Sequence, residues 1–331
     1  MNVHPNFSAI QFSFAALFSG LVMLTAGGEF LVSGSVKLAK RWGMAPGLIG
    51  LTVVAFGTST PELFVSLIAN LQGHSDIMIG NVIGSNIANI GLILGISAII
   101  VPLEVKYTAV RIELYLVLAS TALTGLITWH GVFPRSLGIV FVSGLALYTF
   151  FSYRYAIRKK NSRRAISEPS ASRADADNPL TAETSSYFLT SCLILGGLLL
   201  LAYGSDFFIR GAVDIARYMK VSELIIGLTL AAIGTSLPEL ASSLAAIRHR
   251  QNDLLVGNII GSNLFNILMV LGCGAIVRPY ALAPQLLFRD LPVTFLFSAV
   301  LVPIMIARRN LSRLYGLALL LSYALYLLLL I

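Results

Sequence analysis

Long apolar runs, broken by short polar stretches, recur from one end of the chain to the other. Each is near the length of ~20 residues that a helix needs to cross a bilayer. About ten such spans are predicted, at 8–32, 44–70, 77–102, 109–128, 132–153, 186–208, 222–247, 254–277, 288–306 and 312–331. The runs do not alternate with period two, so barrel strands are excluded. A helix satisfies its own backbone polar groups in lipid. The pattern therefore predicts an all-α polytopic membrane protein. No Lys or Arg precedes the first run and no small-residue cleavage site follows it, so it reads as a span and not as a leader.

Composition agrees: 56% of the 331 residues are hydrophobic and only 11% are charged. A water-facing surface needs more charge. The net charge of +8 raises the question of a nucleic-acid partner, but the charges follow the positive-inside rule instead. With the loop after span five cytoplasmic, all but six of the 23 Lys and Arg residues fall on the cytoplasmic side. The exceptions are Arg135, Arg210, Arg217, Lys220, Arg278 and Arg289. Both termini are then outside. Cys192 and Cys273 fall within spans and are expected to be buried apolar groups. His4, His74, His130 and His249 lie near span ends and are expected to be solvated.

Residues 50–95 read GLTVVAFGTSTPELFVSLIANLQGHSDIMIGNVIGSNIANIGLILG, and residues 227–272 read GLTLAAIGTSLPELASSLAAIRHRQNDLLVGNIIGSNLFNILMVLG. The offset holds without a gap, and it extends upstream, where Gly27, Glu29, Phe30 and Gly34 match Gly204, Asp206, Phe207 and Gly211. The shared residues are Gly, Thr, Ser, Pro, Glu and Asn, which chance similarity between apolar helices would not preserve. Each copy sits in a unit of five spans, so the second unit enters the membrane from the opposite side. The prediction is two inverted five-helix repeats, 1–154 and 186–331, joined by a flexible cytoplasmic linker at 155–185. The basic run of the linker suits anionic membrane lipid or a simple topology determinant.

Glu62 and Glu239 stand in the middle of apolar spans. A charge at that depth costs at least ~2.5 kcal/mol. No Lys or Arg lies deep in these spans, so a bound cation is the expected partner. Each Glu ends a Gly-Thr-Ser-x-Pro-Glu run, Gly57 to Glu62 and Gly234 to Glu239. Pro61 and Pro238 lack an N–H and clash with the carbonyl four residues earlier. That is expected to free carbonyls around Gly57 and Gly234, and those of Ala55 and Ala232. The hydroxyls of Thr58, Ser59, Thr235 and Ser236 add oxygen. The second half of each motif places Ser85 with Asn89, and Ser262 with Asn266, on one helix face. Asn81, Asn86, Asn258 and Asn263 are further amides, either ligands or interhelical bonds. Gly80, Gly84, Gly257 and Gly261 read as close-packing positions. This set offers hard oxygen donors without sulfur or imidazole, which suits Ca²⁺ or Na⁺ over soft metals.

The paired GTSxPE and GSNxxN motifs resemble the α-repeats of the cation/calcium exchanger superfamily, closest to its bacterial sodium/calcium exchangers. The resemblance covers essentially the whole chain. It implies a ten-helix fold with a core of spans two, three, seven and eight. It also implies ion coordination by Glu62, Glu239, Thr58, Ser59, Thr235, Ser236, Ser85, Asn89, Ser262 and Asn266 and by the carbonyls of Ala55 and Ala232. Several members carry Asp at a final motif position, potassium-dependent ones among them, whereas positions 89 and 266 are both Asn here.

The expected function is secondary Ca²⁺/Na⁺ antiport by alternating access, with glycine-rich spans one and six moving against the core. H⁺/Ca²⁺ exchange by the same glutamates is the alternative, and a passive cation channel is the third reading. Neither an enzyme, a cofactor nor an obligate protein partner is expected. No Ser/His/Asp set, zinc motif or phosphate loop is present. The expected location is a bacterial inner membrane.

Overall fold

A computed structural model of the chain describes residues 7–104, 107–129, 131–167, 187–221, 234–308 and 310–330. Its elements in chain order are α1 Phe7–Trp42, α2 Pro46–Thr58, α3 Thr60–Leu71, α4 Ser75–Ile100, β1 Leu103–Glu104, α5 Tyr107–Trp129 and α6 Arg135–Ser167. There follow α7 Tyr187–Tyr218, α8 Leu237–Arg248, α9 Asn252–Val277, α10 Leu286–Ala307, β2 Asn310–Leu311 and α11 Arg313–Leu330. Among the described residues, eight single helices are long and apolar enough to cross a membrane, and the bent pair α2–α3 makes a ninth. The remaining predicted span, 222–247, is described only from Gly234 onward, where it contains α8. The chain is an all-α polytopic membrane protein. Large apolar side chains such as Phe12, Phe18, Phe151, Phe188 and Leu328 are exposed on its outside, as a lipid-facing surface requires.

Three boundaries differ from expectation. Helices α1 and α7 each run ten residues past the predicted span, to Trp42 and Tyr218. Helix α6 continues through Ser167, so the first part of the predicted flexible linker is helical. Its polar residues still form i to i−4 backbone bonds once the chain leaves the membrane. Cys192 is exposed and Cys273 half-buried, not buried as expected. A small thiol facing lipid loses nothing by it.

Helices α1 and α7 pack along their length. Gly20, Gly27 and Gly34 recur every seven residues on α1, and Gly197, Gly204 and Gly211 do so on α7. A Cβ on Gly27 would lie 2.9 Å from the carbonyl oxygen of Gly197, and a Cβ on Gly197 would lie 2.9 Å from that of Gly27. The seam is therefore backbone against backbone, as small residues permit in lipid. Of the four glycines expected to close-pack in the motifs, Gly257 and Gly261 do so against the backbone of α2 at Gly47 and Leu51, whereas the space around Gly80 and Gly84 is open.

Two loop pairings tie the repeats together. Leu103 pairs with Leu311 and Glu104 with Asn310, antiparallel, and Phe133 forms a bridge with Tyr280. Leu103 and Tyr280 occupy equivalent repeat positions. One crossing, α5, separates Glu104 from Phe133, so the two pairings lie at opposite ends of the bundle.

Candidate functional site

Each Glu sits just after a helix break. Ser59 ends the α2 segment with φ −87° and ψ 5°, and Ser236 has φ −90° and ψ 5°. Pro61 and Pro238 then occupy the second positions of α3 and α8, where the missing N–H costs nothing. Helices α2 and α3 are bent by 43°. Glu62 and Glu239 fall in the first turns of α3 and α8. The positive end of each helix dipole thus lies beside a carboxylate. Both are essentially inaccessible.

The carbonyls behave differently from the expectation. Ala55 O accepts the Ser59 N–H at 3.0 Å, so it is not released by Pro61. The tight turn at Ser59 lets that backbone bond form one residue before the break. Gly234 O is claimed by the Ser205 hydroxyl of α7 at 2.7 Å. The equivalent of Ser205 is Gly28, which has no hydroxyl to offer Gly57. Ala232 lies outside the described residues.

Reciprocal hydrogen bonds join the motif halves. Thr58 Oγ1 donates to Asn258 Oδ1 at 3.3 Å, and Thr235 Oγ1 donates to Asn81 Oδ1 at 3.2 Å. Asn81 donates to Ser66 at 3.0 Å, and Asn258 donates to Ser242 at 3.1 Å. The carboxylates break this symmetry. Ser59 Oγ donates to Glu239 Oε1 at 3.0 Å, and Ser262 Oγ lies 3.4 Å from the same oxygen. Ser85 meets Thr235 Oγ1 at 3.4 Å instead.

Helices α4 and α9 cross through four amides. Asn86 Nδ2 donates to Asn263 O and Asn263 Nδ2 to Asn86 O, both at 3.2 Å. Asn89 Nδ2 donates to Asn263 Oδ1 at 3.0 Å and Asn266 Nδ2 to Asn86 Oδ1 at 3.1 Å. These bonds fix which way Asn89 and Asn266 point, and they identify Asn86 and Asn263 as bracing residues. Asn89 and Asn266 each also begin a stretch of π-helix, Asn89–Leu94 and Asn266–Leu271. Such widened turns are frequent at functional sites.

Five oxygens of the expected ligand set are buried without a hydrogen-bond partner among the described residues: Glu62 Oε2, Glu239 Oε2, Asn89 Oδ1, Asn266 Oδ1 and Ser236 Oγ. Buried acceptors left unpaired are costly. Buried oxygens outside that set, those of Asn70, Ser97 and Ser243 among them, also lack a partner. The other expected donors, Thr58, Ser59, Ser85, Thr235 and Ser262, surround the five through the bonds above. Unsatisfied acceptors with no basic side chain bonded to them suit a dehydrated hard cation.

Two buried carboxylates escaped the sequence reading. Glu113 on α5 accepts a hydrogen bond from Tyr148 on α6, and Asp290 on α10 accepts one from Tyr326 on α11 at 3.1 Å. Glu113 and Asp290 are equivalent positions. Each accepts from a tyrosine of the next helix, which pins the outer helices together, and Asp290 also accepts from Arg289 at 2.8 and 3.2 Å. Their shared offset was the signal that could have found them. His249 is exposed, as expected, and lies 2.7 Å from Glu29 of α1, while Arg248 lies 2.8 Å from the same side chain.

Comparison with known proteins bears on this site. The sodium/calcium exchanger protein family matches residues 12–154 and 189–331. The sodium/calcium exchanger MaX1 of Methanosarcina acetivorans is 30% identical, over 96% of this chain and 98% of its own length. The putative antiporter CaxA of Alkalimonas amylolytica is 39% identical over 78% of this chain and 79% of its own. The solved structure of the sodium-calcium exchanger NCX_Mj, soaked without Na⁺ and Ca²⁺, superposes with a TM-score of 0.80 at 29% identity. That superposition covers 97% of this chain and all of the other.

Proposed function

The chain belongs to the sodium/calcium exchanger family, and from that premise we propose that it exchanges Ca²⁺ for Na⁺ by alternating access at a site built around Glu62 and Glu239. The observation that carries this reading is the pair of buried carboxylates, one per repeat, each with an oxygen lacking any hydrogen-bond partner among the described residues. Two carboxylates balance one divalent ion. Ca²⁺ takes about 6–8 oxygens. Glu62, Glu239, Asn89, Asn266, Thr58, Ser59, Thr235, Ser236, Ser85 and Ser262 supply side-chain oxygens. The second lone pair of Ala55 O, and Ala232 O, complete the proposed set.

Exchange follows from competition. Ca²⁺ and Na⁺ share ligands, so one leaves before the other binds. The glycine seam makes α1 and α7 a unit that shifts against the α2–α4 and α8–α9 core, so the loaded site faces one side and then the other. A ligand moves such an equilibrium only through different affinities for its two states. The proposed orientation is that of the basic residues, with the segment 155–185 cytoplasmic in a bacterial inner membrane and both termini outside.

Flux in proteoliposomes tests the reading. Na⁺-loaded vesicles should take up ⁴⁵Ca²⁺ when diluted into Na⁺-free buffer, and uptake should collapse with the Na⁺ gradient. Uptake driven by a proton gradient without Na⁺ would transfer the same glutamates to H⁺/Ca²⁺ exchange. Currents far above transporter turnover would point to a channel.

A further inference from the structure

An apolar groove of about 590 Å³ opens on the outside of the bundle between α2 and α6. This volume lies within the range of about 300–1,000 Å³ typical of small-molecule sites. Trp42 and Tyr153 line one end, and Phe56, Val142, Phe265 and Met269 line the other. The distance from Val142 to Tyr153 along α6 is about 16 Å at the α-helical rise. Two threonine hydroxyls line it, and both are satisfied by their own helices: Thr52 bonds Leu48 O at 2.7 Å and Thr149 bonds Leu145 O at 2.8 Å. The wall thus offers hydrocarbon contact along its length.

The mouth has another chemistry. Trp42 and Tyr153 meet edge to face at 6.1 Å, as aromatic side chains do at the membrane–water boundary. The Arg154 guanidinium lies 5.6 Å from the ring centre of Phe150, a lining residue. Arg41, next to Trp42, stacks 4.1 Å over Tyr187. Its Nη1 is buried and has no hydrogen-bond partner among the described residues. A buried guanidinium N–H without an acceptor is costly and recruits an anionic oxygen. The occupant that fits has one long apolar tail and one anionic head.

We infer that this groove binds an acyl chain of an anionic phospholipid, with the lipid phosphate held between Arg41 and Arg154. The floor of the groove touches the transport machinery. Phe56 follows Ala55, Phe265 precedes Asn266, and the two rings meet at 5.1 Å. A seated tail therefore braces the two helices that carry proposed ligands. That coupling rests on the transport reading, whereas lipid binding itself does not.

Native mass spectrometry of the purified full chain tests it, with phosphatidylglycerol and phosphatidylcholine of identical chains added separately. Phosphatidylglycerol should stay bound while phosphatidylcholine is lost. Arg41→Gln and Arg154→Gln should each weaken retention about fivefold. Ala146→Trp, which fills the groove, should weaken it with both arginines in place. Equal retention of the two lipids overturns the proposal. So does undiminished phosphatidylglycerol in the double arginine variant, or a preference that disappears only when Lys159 and Lys160 are neutralised. Should Ala146→Trp fail to fold, the two arginine variants carry the test alone.

Discussion

Glu239 and Glu62 occupy equivalent positions, yet the protein holds them differently. Glu239 Oε1 accepts Ser59 from the opposite repeat and lies near Ser262 of its own. Ser236, the counterpart of Ser59, is buried with its hydroxyl unpartnered. The inequality recurs at the edge of the core. Glu29 reaches across to Arg248 and His249 at the end of α8, whereas its equivalent Asp206 pairs, among the described residues, with Arg210 on its own helix at 2.8 Å. The positions matching Arg248 and His249 are Leu71 and Gln72, which carry no charge. A duplicated frame thus carries one carboxylate bonded by a serine of the opposite repeat and one whose equivalent serine is unpartnered among the described residues. It also carries one edge latched between helices beside one whose carboxylate pairs along its own helix. Symmetry sets where the paired motifs lie, and the departures from symmetry give the two halves different surroundings.

The largest effects should be shared by both halves. Glu62→Gln and Glu239→Gln each remove half the charge that balances the ion. Losing one partner of a buried charged pair costs about 2–5 kcal/mol, so ⁴⁵Ca²⁺ uptake should fall by at least about thirtyfold at unchanged expression. A fully active variant at either position would remove that residue from the site. Next is the glycine seam. Gly197→Leu drives a side chain into the α1 backbone, whereas the space around Gly196 is open. Overpacking costs about 1–3 kcal/mol, so Gly197→Leu should lower the melting temperature by several degrees while Gly196→Leu leaves it unchanged. Equal shifts would mean the seam is not close-packed.

Serine substitutions sharpen the carboxylate comparison. Ser59→Ala removes the tether on Glu239, a hydrogen bond to a charged group worth about 1.5–3 kcal/mol. The Ca²⁺ concentration for half-maximal uptake should rise about tenfold or more, and by less in Ser236→Ala. Identical shifts would erase the distinction between the halves. The smallest effect is expected at the latch. The Glu29–Arg248 pair is partly exposed, with Arg248 66% accessible, and such pairs are worth at most about 1 kcal/mol. Glu29→Gln should raise the exchange rate by no more than about fivefold, with the gain fading at high salt. Asp206→Asn should leave the rate unchanged.

Much of this was legible in the residues. Charges at membrane depth, prolines beside them and an ungapped repeat are strong signals because lipid penalises each of them unless it has a use. The helix breaks at Ser59 and Ser236 follow from Pro61 and Pro238. The fates of the freed carbonyls do not, because the Ser59 turn and the Ser205 hydroxyl are set by packing across the bundle. The choice between ligand and brace among the asparagines is likewise tertiary. Asn86 and Asn89 look alike in sequence, and only the crossing of α4 and α9 separates them. The π-helical turns after Asn89 and Asn266 leave no composition signal. The seven-residue glycine period was present in the chain, but it gains meaning only when α1 and α7 lie side by side.

The loop pairings have a practical consequence. Leu103 to Leu311 at one face and Phe133 to Tyr280 at the other stitch the halves together independently of the segment that connects them in sequence. Cutting the polypeptide between Ser167 and Tyr187 would therefore leave two fragments with mutually complementary edges. Co-expressed as separate genes, they should reassemble into a working heterodimer, the arrangement from which a fused duplicate of this kind could have begun.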